Sequence, residues 1–146
     1  MGFFKRKPKG PHVMTFQSGQ GLRIQIVADD FHSTDAGYRE LAGRVYKDGE
    51  DHERSVPAWL VRNDRQKVDV ISKKTGERLG RIIGADGDEL HATMLDHERQ
   101  VDGPLHFAAT VKVEVFWEED DGEWDASLDP ELRLANPVKA KLEPYA

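Results

Sequence analysis

Between Arg62 and Arg81 the chain carries Arg62, Arg65, Lys67, Lys73, Lys74, Arg78 and Arg81 against only Asp64, Asp69 and Glu77, and Trp59 stands just ahead of them. Seven bases less three acids leave a charge of +4 in this stretch. A single nucleic-acid strand is held by this combination, because cations follow the phosphates and a flat ring stacks on a base. Asn63 adds an amide donor and acceptor in the same region. Lysine-rich hairpins also serve simply to keep a sheet edge soluble and unpaired, and that reading competes with the first.

Other chemistries find less support. Neutral imidazoles four apart on a helix would suit a metal, but His12, His32, His52, His91, His97 and His106 include no such pair, and His52 lacks the second histidine of a zinc protease motif. There is no cysteine, which excludes disulfides, thiolate catalysis and sulfur-ligated zinc. Gly80, Gly84 and Gly87 match neither standard phosphate-loop spacing, and no Lys-Ser or Lys-Thr pair follows them. No serine sits in a Gly-x-Ser-x-Gly elbow. Glu118-Glu119 and Asp120-Asp121 read as a solvated acidic loop. Asp-His-Glu-Arg occurs at 51–54 and again at 96–99, but the flanks diverge at once, so no repeat is inferred. No catalytic residue, metal or cofactor is expected.

The elements that would position these groups follow from periodicity. Leu22, Ile24, Ile26 and Ala28 alternate with Arg23, Gln25 and Val27, the period of a strand with one face on a core. Ser33, Thr34 or Asp35 can cap a helix in which Tyr38, Leu41, Ala42 and Val45 form one apolar face. Arg54–Arg62 reads as a strand, with Val56, Ala58 and Leu60 on one side and Trp59 and Val61 on the other. Lys67–Ser72 and Glu77–Ile83 form a hairpin whose Gly76 supplies the positive φ of the turn.

Asp86 and Glu89 make a capping-box pattern opening a helix with Leu90, Met94, Leu95 and Val101 inward, and Gly103-Pro104 closes it. Leu105, Phe107, Ala109, Val111, Val113, Val115 and Trp117 then alternate through a strand long enough to need a bend or bulge. A last strand or edge is expected near Trp124–Leu134. Helices do not alternate regularly with strands. The expected fold is therefore α+β, a small curved antiparallel sheet or partly open β-barrel with two helices.

A chain of 146 residues suits one domain. Residues 1–21 read as a flexible basic arm, 22–134 as the domain and 135–146 as a tail. The formal charge of −6 is polarised, since Glu114–Glu131 holds nine acids and no base. No apolar run spans a membrane and the opening residues lack the apolar stretch of a signal peptide, so a cytoplasmic, membrane-free protein is expected.

Over residues 22–128 the order of motifs resembles the HIRAN domain. Ile26-Val-Ala-Asp-Asp-Phe31-His-Ser followed by Tyr38-Arg-Glu-Leu-Ala-Gly43 is similar to that family's first strand and helix. Val56-Pro-Ala-Trp-Leu-Val61 resembles its next strand, and Val68-Asp-Val-Ile71 with Glu77-Arg-Leu-Gly-Arg-Ile82 resembles its hairpin. The family usually has a longer Glu-Pro-x-Asn-Pro-x-Asp stretch between these, part of a pocket for a DNA 3′ end, where this chain has only Asn63-Asp-Arg-Gln66. The resemblance implies a non-enzymatic module for single-stranded or 3′-ended DNA, with Phe31 carried over as the aromatic after the first strand. Trp59, Arg62, Asn63, Arg65, Lys67, Lys73, Lys74 and Arg81 join it as the expected contact residues from their location. The alternative is a protein-interaction domain that has lost DNA binding and docks through its acidic loop.

Overall fold

A computed structural model describes residues 7–29 and 32–145. The chain runs β1 (His12–Phe16), β2 (Ser18–Gln25), α1 (Asp35–Ala42), β3 (His52–Arg62), β4 (Val68–Ser72), β5 (Arg78–Ile82), α2 (Gly84–Glu98), β6 (Leu105–Asp120), β7 (Glu123–Leu134) and β8 (Ala140–Pro144). The main sheet has the order β2-β7-β6-β3-β4-β5, with every neighbouring pair antiparallel. Past the end of β2, Ile26 donates to Pro130 O, and Val27 then exchanges two hydrogen bonds with Arg81 of β5, at 2.8 and 2.9 Å. The two ends of the sheet are drawn together in this way. The fold is a small α+β domain built on a curled, partly open barrel with two helices, as the periodicity predicts. Gly80 permits the contact, because a Cβ there would lie 2.5 Å from Val27 O.

The inward faces of the strands supply the core. Val56, Ala58 and Leu60 meet Phe107, Ala109, Val111, Val113 and Val115, with Leu132 and Leu134 on one flank and Val68, Val70, Leu79 and Ile82 on the other. Leu41 of α1 and Leu90 and Met94 of α2 pack onto the same cluster. Leu95 and Trp117 are only partly buried, whereas Val101 is buried.

Several sequence expectations are corrected. Residues 12–21 do not belong to an arm: β1 pairs in parallel with Leu105–Ala108, and β2, which starts at Ser18, pairs with β7. Met14 and Phe16 are buried in the core, and that apolar burial holds β1 in place. The tail likewise contains β8, antiparallel to β1. Strand β6 needs no bulge to reach sixteen residues, since its ladders with β3 and β7 run without a register shift. Its length arises because one edge serves β1 through Leu105–Ala108 and then β7 through Val111–Asp120.

The helix α1 starts on a local cap and ends against β3, whereas α2 starts without a side-chain cap. Thr34 caps α1, with its hydroxyl accepting from Gly37 N at 2.9 Å, but the helix ends at Gly43, leaving Val45 exposed beyond it. Arg54 of β3 donates to Leu41 O and Glu40 O, satisfying carbonyls the helix leaves open. No side chain caps α2, which begins at Gly84 with φ 68° as the chain turns out of β5. Asp86 therefore lies inside the first turn, where its charge faces the positive end of the helix dipole rather than closing a capping box.

On the outer face of the barrel, Arg23 donates to Glu131 Oε1 through Nη2 at 2.6 Å and Arg133 donates to the same oxygen at 2.6 Å. The Arg23 hydrogen bond holds the Glu131 carboxyl below the usual glutamate range, partial burial opposes this, and Arg133 reinforces it. A carboxyl whose folded-state pKa is depressed adds stability above its unfolded pKa and loses it as the pH falls toward the lower folded value. Glu131→Gln is thus expected to melt a few degrees below the parent at pH 7. Thermal scans at successively lower pH should show that gap closing below about pH 4.5.

Candidate nucleic-acid interface

The β3–β6 ladder ends at Leu60↔Phe107. Beyond it, β3 continues only with β4, through Val61↔Asp69 and Arg62↔Val68, while β6 begins beside β1. The two strands part like a fork, and an open cleft of about 410 Å³ lies between them. Trp59, His106 and Tyr145 line it, together with Met94 and Glu98 from α2. Trp59 and Val61 project outward because Ala58 and Leu60 face the core, and the period of two allows nothing else.

The indole of Trp59 is the centre of this site. Its centroid is 5.9 Å from the His106 ring and 6.0 Å from the Tyr145 ring, and His106 and Tyr145 are 4.9 Å apart. Lys73 Nζ lies 4.4 Å from the indole centroid, a cation–π distance. Lys73 and Lys74 sit on the exposed β4–β5 turn, where Gly76 has the expected positive φ of 74°. That turn is pinned from α1: Ser72 and Thr75 donate their hydroxyls to Glu40 at 2.6 and 3.0 Å, and Ser72 Oγ accepts from Lys74 N and Thr75 N.

The other basic residues divide by partner. Arg62 donates to Glu98 Oε2 at 2.7 Å and lies 3.3 Å from His91 Nε2, which ties β3 to α2. Lys67 donates to Gly84 O and pairs with Asp88, while Arg81 donates to Asp69 Oδ1 at 2.6 Å. These three cations are therefore committed to ion pairs that tie β3 and the start of β4 to α2, and β5 to β4. Asn63 shapes the β3–β4 connection, with its side-chain oxygen accepting from Arg65 N and Lys67 N. Arg65, Lys73 and Lys74 are exposed, with the Lys73 ammonium over the Trp59 ring. Phe31 lies outside the described residues.

The site thus gathers Trp59 and Lys73 as expected, with Lys74 beside them, and adds His106 and Tyr145, which the sequence reading did not single out. Alternation with Phe107 could have placed His106 outward, but only the register of β6 on β3 puts it near Trp59. Nothing local marks Tyr145, which arrives from 86 positions away in the sequence.

Among the described residues, no group of three His, Asp or Glu side chains could hold a metal ion, and no helix is long and apolar enough to cross a membrane. What the arrangement can do is stack a planar group on Trp59 and His106 while cations at the neighbouring turn meet a negative charge. Comparison of the chain with protein-family models, curated proteins and solved structures gave no match. The class that the fold and site define is therefore a small α+β barrel with an aromatic, cation-flanked cleft.

Proposed function

We propose that this chain is a non-enzymatic, HIRAN-like binding module for single-stranded or 3′-ended DNA. The observation that carries the reading is the Trp59 indole, covered by Lys73 Nζ at 4.4 Å, on the wall of an open cleft. A base would stack on Trp59 and His106, and Lys73, Lys74 and Arg65 would meet flanking phosphates. The cleft volume falls in the range of about 300–1,000 Å³ that small-ligand sites occupy.

With these three exposed cations meeting phosphates, the logarithm of affinity should fall against the logarithm of salt concentration with a slope of about −2 for a single strand. Fluorescence anisotropy of a labelled strand with a free 3′ end, beside blocked-end and duplex controls in a salt series, measures this. Lys73→Glu with Lys74→Glu should weaken binding and flatten the slope to about −1 or less. Unchanged affinity in that variant would remove the hairpin from the site. Equal binding of free and blocked ends would restrict the reading to single strands in general.

A second reading rests on the β6–β7 register. Glu118 stands opposite Asp125, and Asp120 opposite Glu123, with no lysine or arginine between Glu114 and Glu131. Like charges directly across a ladder cost stability, so a face of one sign suits contact with a basic protein segment. Capture of a partner that is lost on neutralising Glu118–Asp121 but kept in the Lys73/Lys74 variant would favour this reading.

A further inference from the structure

Tyr145 lines the cleft beside the two rings on which a planar ligand would stack. Its ring lies against both Trp59 and His106, at 6.0 and 4.9 Å, although it is only half-covered itself. Strand β8 brings it there, and that strand is weakly anchored: all five residues are exposed and it pairs only with β1. The hydrogen bonds that frame it run from Gln17 N to Lys139 O and from Tyr145 N to Pro11 O. No core side chain would have to move for it to leave, and segments held mainly by exposed backbone hydrogen bonds open at the lowest free energy in a fold.

We propose that β8 and Tyr145 form an internal occupant of the cleft, a phenol ring stacked where an incoming planar ligand must stack, so that binding requires the segment to be released. The proposal rests on the aromatic cleft being the binding site described above. Lys73 approaches the Trp59 ring as Tyr145 does, so two groups share that indole, and a charged ligand would keep the lysine and expel the tyrosine. The chain then binds with an apparent affinity reduced by the fraction of molecules whose cleft is open.

The test uses ¹⁵N-labelled protein and follows the indole N–H signal of Trp59 in the parent, Tyr145→Ala and Tyr145→Phe. Each form is titrated with 4-methylphenol, the free counterpart of the tyrosine side chain, and separately with a short oligothymidylate. Tyr145→Ala is expected to bind the oligonucleotide about three- to tenfold more tightly than the parent, and Tyr145→Phe about equally to it. 4-Methylphenol should shift the Trp59 signal in Tyr145→Ala and leave it in place in the other two.

Weaker oligonucleotide binding by Tyr145→Ala would overturn the proposal, since the tyrosine would then belong to the platform, and the nucleic-acid reading would stand. A shift with 4-methylphenol confined to Tyr145→Ala, with no form binding the oligonucleotide, would uphold the internal occupant and discard the nucleic-acid reading. If 4-methylphenol shifts the parent as much as Tyr145→Ala, or shifts neither, Tyr145 is not an occupant of the site.

Discussion

Trp59→Ala is expected to weaken binding of a single-stranded oligonucleotide by about ten- to a hundredfold, the range that follows from roughly 1–3 kcal/mol per stacked base. The indole is the largest flat surface in the cleft, and the cation nearest a stacked ligand lies over the same ring. Removing it takes away the platform and the position of Lys73 together. The backbone of β3 is held on both sides by β4 and β6, and Trp59 faces outward, so the fold should survive the change. Trp59→Phe keeps a face for stacking and should recover most of the affinity. Anisotropy titrations of the three proteins, with circular dichroism as the folding check, decide the matter. Equal affinity of all three would mean that the cleft does not bind the strand.

Phe16→Ala is expected to destabilise the domain by about 3–5 kcal/mol, the usual cost of emptying a buried aromatic position. Phe16 is 2% exposed and stacks on Phe107 with ring centroids 6.0 Å apart and planes within 17°. Phe107 belongs to the last residue pair before β3 and β6 part, so the two rings pack beneath the fork that opens the cleft. Domains of this size are stable by only about 5–15 kcal/mol, and the variant should lose a large fraction of that. Urea unfolding reads the change as a lower midpoint with the slope retained. A loss below about 1 kcal/mol would show β1 to be an accessory strand and restore the arm that the sequence suggests.

The contrast at Phe16 shows where sequence reasoning stops. His-Val-Met-Thr-Phe at 12–16 is too short to display a convincing period, and its glycine- and proline-rich flanks resemble a linker. What makes it a strand is an edge of β6 more than ninety residues away, and no local signal encodes that pairing. Strand β8 is a starker instance, because all its side chains are exposed and it exists only by pairing with β1. By comparison β3, β4, β5 and β6 were legible, since each places alternate residues on one large core and so repeats its signal several times over.

The candidate site divides in the same way. Charge counting picks out Arg62, Lys67 and Arg81, but Glu98, Asp88 and Asp69 neutralise them, and none of those pairings can be read from composition. Lys73 and Lys74 stay exposed because Ser72 and Thr75 of the turn, and not the lysines, engage Glu40 of α1, and the turn itself was visible in Lys-Thr-Gly76.

The sequence by itself determined the class of fold, the core faces of the longer strands, the hairpin turn and the outward placing of Trp59, because each depends on periodicity or on turn chemistry within a few residues. The tertiary structure alone decided that Val27 and Arg81 draw the two ends of the partly open barrel together, that β1 and β8 extend the sheet, and that His106 and Tyr145 meet at Trp59. Those outcomes depend on which strand edges find one another, and strand pairing is a long-range contact whose free energy no short window of sequence contains.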